Sequence, residues 1–178
     1  MAGHSDRTAP LPTFDEAPNV AIVIAPYYTA IAEAQMGAVR GVLDSAGATH
    51  ETIEVPGSLE IPTAIGMLHR AGGRDGFVAL GCVIRGATSH YDIVVSESAR
   101  GLTLLGLQGL AIGNGIITVE NREQAEERAD ADRLNTAGAA AEAALHLIAL
   151  ARRWGGRRRP VGFGAGADTL LAGGSDIA

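Results

Sequence analysis

The chain contains no lysine, and all 14 of its basic residues are arginines. That absence excludes an enzyme working through a lysine Schiff base, a pyridoxal phosphate enzyme and a Walker A nucleotide loop, each of which needs the amine. A GC-rich coding bias would also remove lysine, but the chemical exclusion stands either way. One cysteine, Cys82, in 178 residues rules out an internal disulfide and a cysteine zinc cluster. No apolar run approaches the roughly 20 residues that cross a bilayer, so no membrane partner is expected. The opening MAGHSDRTAPLPTFDEAPN has no apolar core of a signal peptide, and a reducing cytoplasm is the simplest home. Acidic residues outnumber basic ones, 20 to 14, which argues against nucleic acid as a general partner. Aromatics are scarce at 4%, while apolar residues make up 47%, a balance suited to an α/β domain rich in small aliphatic side chains.

What is present alternates. NVAIVIAP is a short β-branched run of the kind buried in a sheet, and YTAIAEAQMGAVRGVLDSAG repeats its apolar residues at helical spacing, with Gly47 as a stop. THETIEV alternates like a strand. PGSLEIPTAIGMLHRAGG reads as a turn and helix, with Ser58 a candidate cap and Pro62 in the first turn. GFVALGCVI is a second near-continuous apolar strand, followed by the helix SHYDIVVSESARGLTLLGLQ. The glycine-interrupted strand LAIGNGIITVE, the short helix NREQAEERADA and the alanine-rich helix LNTAGAAAEAALHLIALARRW complete the pattern. Glycines 37 and 41 in the first helix are expected to permit close packing.

Strands that read as buried on both faces point to a four-stranded parallel sheet with helices on each side, a three-layer α/β/α sandwich. Residues 1–18 carry Pro10, Pro12 and Pro18 without periodicity and read as a disordered, mobile arm; residues 19–154 form the domain. Residues 155–178 read as a glycine-rich disordered tail, whose arginine cluster is either a solvated end or an attractor for an anionic partner.

Ligands of such sheets bind beyond the carboxyl ends of the strands. That rim collects Tyr27 and Tyr28, VPGSLE, IRGATSH and ITVEN. In GCVIRGATSHYD, small residues precede a helix, so backbone N–H groups and the helix dipole offer an anion site. Gly86 and Ala87 allow close approach, Thr88 and Ser89 add hydroxyls or cap the helix, and Arg85 brings a fork of donors suited to phosphate. His90, in the first helical turn, faces the positive dipole end and a nearby cation, a setting that favours a proton-accepting ring. Asp92 either orients that ring or simply suits a helix N-terminus. Spacing alone equally fits an ordinary capped helix with a surface arginine. In VPGSLEIP, the donors of Gly57 and Ser58 with Glu60 fit recognition of a polyol, or merely a helix start.

Taken together, VPGSLEIP, GCVIRGATSHYD, NGIITVENREQAEERA and the closing alanine-rich helix resemble the lumazine synthase family, from about Asn19 to Trp154. The resemblance implies a flavodoxin-like fold, pentamers that in some members pair or build 60-subunit shells, active sites between subunits, no cofactor and no metal. It implies condensation of 5-amino-6-(D-ribitylamino)uracil with 3,4-dihydroxy-2-butanone 4-phosphate, with riboflavin synthase as a candidate partner. By the same resemblance His90 matches the proton-transfer histidine. Ala87 and Thr88 match the phosphate loop, with Arg85 and Gly86 beside them, and Arg128 matches an arginine on the other side of the phosphate. Ser58, Leu59 and Glu60 match the segment that holds the ribityl chain; Cys82, Val83 and Ile84 match the strand end beside the pyrimidine. Tyr27 falls where an aromatic ring stacks on the substrate, and Asn114 where a neighbouring subunit often presents an aromatic. The chain departs from the family where a lysine–glycine pair usually precedes the last helix: Thr136 and Ala137 stand there, and Arg133 is the candidate substitute. Leu59 replaces a larger ring, and Pro26 a common arginine. A non-catalytic shell-forming or flavin-binding homologue, and a generic phosphate-binding module, are the competing readings.

Overall fold

A computed structural model describes residues 10–155. Nine elements follow in order: β1 (Asn19–Ile24), α1 (Thr29–Ser45), β2 (Thr49–Glu54), α2 (Glu60–Ala71), β3 (Gly76–Ile84), α3 (His90–Leu107), β4 (Ile112–Val119), α4 (Arg122–Ala129) and α5 (Thr136–Gly155). The strands form one parallel sheet in the order β2-β1-β3-β4.

Alternation along the central strands sorts the core into two layers. Val20, Ile22 and Ile24 of β1, with Val78 and Leu80 of β3, face α1 and α5. Ala21, Val23, Phe77 and Ala79 face α2 and α3, meeting Ile61, Ile65 and Leu102. The expected α/β/α sandwich is therefore present. The expectation of burial on both faces holds only for β1 and most of β3. β2 is an edge strand with one neighbour, and its Thr49, Glu51, Thr52 and Glu54 are exposed. β4, the other edge, alternates: Gly113, Gly115, Ile117 and Val119 are buried, whereas Asn114 and Thr118 are exposed.

Three local features fasten this frame. Gly47 takes a left-handed φ of 67° and ends α1, as its position suggests. Gln35 of α1 is fully buried, and its Nε2 donates to the carbonyls of Gly81 at 3.2 Å and Gly115 at 2.9 Å, tying α1 to β3 and β4 below the rim. α4 then closes the carboxyl end, packing Ala125 and Ala129 on Ile31, Cys82, Ile117 and Val119. Gly37 and Gly41 do not serve close packing within the chain, since a Cβ at either would meet open space.

The described part of the N-terminal arm is packed rather than free. Leu11 and Phe14 lie against the core, and Arg152 stands 5.3 Å from the Phe14 ring centre, donates to the Glu16 carbonyl and pairs with Asp75. Burial of these two apolar side chains, with the Arg152 contacts, holds the described arm against the domain. Residues 1–9, and the glycine-rich tail from residue 156, lie outside the described residues. Among the described residues no helix is long and apolar enough to cross a membrane.

Candidate active site

A cleft of about 290 Å³ opens at the carboxyl rim, lined by the β1 exit (Tyr27, Tyr28), the β2 exit (Pro56–Ser58), the end of β3 (Cys82–Ile84), and His90 and Val94 of α3. Size does not single it out, because a hollow of about 480 Å³ lies between α1 and β2 and one of about 490 Å³ at the opposite rim. Chemistry does: this cleft combines an imidazole, an exposed phenol ring, a buried hydroxyl and a strand end in a parallel sheet, where ligands of such folds bind. Seven residues given a role from the sequence meet here, namely Tyr27, Gly57, Ser58, Cys82, Val83, Ile84 and His90.

Each is placed by local structure. Ser58 is only 7% exposed and does not cap α2. The helix is capped at Leu59 (φ −68°, ψ −28°), and Ser58, one residue earlier, has its side chain buried. Its Oγ occupies the space that Gly81 leaves, where a Cβ on Gly81 would come within 2.7 Å. Tyr27 is 74% exposed and meets the Tyr28 ring edge-on at 5.0 Å, while Tyr28 packs inward against the Cys82 and Ile117 cluster. Burial, with Cys82 and Tyr27 nearby, raises the Tyr28 phenol above its ordinary pKa and keeps it protonated.

Cys82 is 8% exposed, and burial pushes its thiol up to about 11, against a partial opposing pull from Arg122. A neutral thiol is a poor nucleophile, so Cys82 is a wall of the cleft and not its reactive group. Iodoacetamide at pH 8 is therefore expected to leave Cys82 unmodified in the folded protein and to label it fully in denaturant, as mass spectrometry would read. Because the folded-state pKa is raised, the associated stability is complete below about pH 9, the ordinary thiol value, and is lost as pH rises through about 11.

The turn Gly86–Ser89 is exposed, as is His90, the first residue of α3. Neither Thr88 nor Ser89 acts as the expected cap: Ser89 has helical angles and no side-chain capping bond, and the His90 N–H reaches Thr88 Oγ1 only at 3.4 Å. Among the described hydrogen bonds the N–H groups of Gly86, Ala87, Thr88 and Ser89 donate to no partner. Arg85 ends the strand with its N–H donating to the Val119 carbonyl, and its guanidinium is engaged by Glu120 at 2.8 Å and Asp92 at 3.0 Å. These two carboxylates hold the guanidinium above its ordinary pKa. Asp92 suits the first turn of α3 and binds Arg85; among the described hydrogen bonds it makes none to His90.

The other candidates lie outside the cleft. Leu59 and Glu60 begin α2 just beyond Ser58, and the Glu60 carboxylate lies beside Gly57, 2.9 Å from where a Cβ would stand. Asn114 sits five positions before the end of β4, about 17 Å below the rim at the usual strand rise, with its Oδ1 accepting from Ile116 N–H. Arg128, near the end of α4, donates to the Gln124 carbonyl, and Arg133, in the turn before α5, pairs with Glu127 at 3.0 Å. Tyr28 and Pro56 were placed at the rim from the sequence without a role, and Val94 was not singled out. Position could have found Val94, which lies one turn after His90 on the same helix face.

A parallel sheet ordered 2-1-3-4, with helices on both faces, defines a flavodoxin-like α/β protein, and its candidate site is the cleft at the carboxyl rim. Residues 17–152 match the family model described as 6,7-dimethyl-8-ribityllumazine synthase. Proteins of that name are similar to this chain. The one from Jannaschia sp. (strain CCS1) is 68% identical over 178 residues, the full length of both. The one from Sphingopyxis alaskensis is 50% identical over 137 residues, 77% of this chain and 97% of that protein. The one from Bartonella tribocorum is 51% identical over 143 residues, 79% of this chain and 95% of that protein. The chain belongs to the 6,7-dimethyl-8-ribityllumazine synthase family.

Proposed function

We propose that the chain is a 6,7-dimethyl-8-ribityllumazine synthase of riboflavin biosynthesis, a cofactor-independent transferase acting in the cytoplasm. The observation that carries this reading is His90 sharing one cleft with Ser58, Cys82–Ile84 and Tyr27, beside the donor-rich Gly86–Thr88 turn, in a chain of this family. The pyrimidine lies along Cys82–Ile84 under the Tyr27 ring, and the ribityl chain is met by Ser58, Leu59 and Glu60. The phosphate is held at Gly86, Ala87 and Thr88, where α3 presents its positive end.

The amine of the pyrimidine substrate attacks the ketone of the phosphorylated one and water leaves as the imine forms. The imine joins the two substrates, so the chain needs no lysine of its own. Elimination then expels inorganic phosphate, and ring closure releases further water. His90 moves protons in these steps, while holding two reactants together supplies much of the rate. The two substrates mixed with pure protein should give the lumazine chromophore well above the spontaneous rate; turnover at the spontaneous rate overturns the reading.

A second copy completes this site. By family likeness a neighbour in a pentamer-based assembly presents Asn114, and Arg128 and Arg133, on the α4 side and outside the cleft of their own chain, are assigned to that same neighbouring face. Light scattering would report that assembly, and pull-down with riboflavin synthase would test that partner. Arg133 substitutes for the family's lysine. Arg133→Ala should raise KM for the phosphorylated substrate roughly 10-fold, the scale of one charged hydrogen bond, with KM for the pyrimidine unchanged. An unaltered KM would remove that role. The competing reading, a non-catalytic shell-forming or flavin-binding homologue, is favoured by one observation, Thr136 in place of the lysine; absent turnover with intact assembly would select it.

A further inference from the structure

We propose that Arg85 is a positioning residue, a clamp that holds the shape of the phosphate turn by joining Glu120 and Asp92 across it. The inference rests on the assignment of that turn to the phosphorylated substrate.

Arg85 stands where three elements converge. Its backbone continues the ladder from β3 to the Val119 carbonyl at the end of β4. Its Nε donates to Glu120, the residue after β4, at 2.8 Å. Its Nη1 donates to Asp92, in the first turn of α3, at 3.0 Å. The guanidinium carbon lies 4.0 Å from the centre of the Tyr91 ring, also in that turn. The side chain thus bridges the two ends of the Gly86–His90 segment and fixes both to the end of β4.

Little else does so. Every residue from Gly86 to His90 is exposed, and a Cβ on Gly86 would meet nothing within 4 Å. Helix α3 starts without a side-chain cap. The turn's backbone is tied mainly by the Asp92 N–H to Ser89 carbonyl bond at 3.0 Å and a longer one from Ile93 at 3.4 Å. An exposed, uncapped turn keeps its donors aimed at one point only if its ends are held, and the planar fork of Arg85 meets two carboxylates and a ring face at once. Lysine, with one compact ammonium, cannot reproduce that geometry. Two carboxylates on one guanidinium also leave it little net charge to offer a phosphate.

Two readouts test the clamp, one of them independent of substrate. In Arg85→Ala and in Glu120→Asp, which keeps the charge and shortens the arm, hydrogen exchange at the Asp92 and Ile93 amides should rise several-fold. In both variants KM for the phosphorylated substrate should rise roughly 5- to 10-fold, the scale of one or two exposed ion pairs, with KM for the pyrimidine within 2-fold of the parent. Arg85→Lys should behave like Arg85→Ala. A direct phosphate ligand would give the opposite set: exchange unchanged in all variants, KM unchanged in Glu120→Asp and largely kept in Arg85→Lys. That set overturns the clamp while leaving the synthase reading intact. If the parent protein forms no lumazine, the synthase reading fails, and the exchange measurement alone decides the clamp.

Discussion

Gly113→Ala is expected to destabilise the fold by about 3 kcal/mol, at the upper end of what overpacking costs. A Cβ at Gly113 would run into the Ala140 carbonyl of α5, and no rotamer change can relieve a clash between a Cβ and a backbone carbonyl. The neighbouring inward position, Gly115, is similarly tight, with a Cβ falling 2.8 Å from Leu80 and 3.2 Å from the Ala140 side chain. Opposite them α5 buries Ala137, Gly138, Ala140, Ala141 and Ala144, so small residues on both surfaces let helix and sheet approach closely. Inserting one methyl group must push α5 outward along much of its length. The thermal midpoint should fall by roughly 6–12 °C for a chain of this size, measured at one fixed protein concentration because assembly shifts it too. Gly41→Ala in α1 is the control: its Cβ meets open space, and the helix should gain about 0.5–1 kcal/mol. Equal midpoints for Gly113→Ala and the parent would contradict this packing.

That contact illustrates which parts of the fold could be read from the chain. Element types and order were legible because β1 and β3 are unbroken apolar runs and the helices repeat at helical spacing. The glycines of β4 were visible as interruptions, but only three-dimensional register shows that Gly113 and Gly115 face α5 while Asn114 faces out. Edge position was equally hidden: β2 contains apolar Ile53 like a core strand, yet one of its sides has no neighbour. Gln35 gave no signal, since a polar residue within an amphipathic helix reads as surface until its two carbonyl partners are seen.

The candidate site divides the same way. Residues at strand ends were readable because parallel α/β sheets gather ligands at one rim, and Tyr27, Ser58, Cys82–Ile84 and His90 do share a cleft there. Ser58 was misread as a cap because a hydroxyl before a helix usually is one; here Gly81 makes room for it inside. The Arg85–Glu120 pair could not be read locally, as its partners directly follow two different strands, β3 and β4. Asn114 and Arg128 rest on family likeness and Arg133 on a departure from it, because residues that would serve a neighbouring copy leave no local pattern in their own chain.

His90→Ala is expected to lower kcat roughly 10²-fold, the lower end of what a positioned proton-transfer group contributes. The lower end applies because the reaction brings its own nucleophile and electrophile, so binding the two substrates together supplies rate that no single side chain removes. Folding should be unaffected, since His90 is exposed at the start of α3 and its side chain supports no core contact. KM for both substrates should change much less than kcat, because the proposed binding groups, the turn and Cys82–Ile84, do not include the imidazole. A loss confined to KM would instead assign His90 to binding. His90→Gln sharpens the distinction, as it keeps hydrogen bonding and removes proton transfer: turnover should remain as low as in His90→Ala. Recovery to near the parent rate in His90→Gln would show that orientation alone is required, and the proton-transfer role would then have to pass to another group or to solvent.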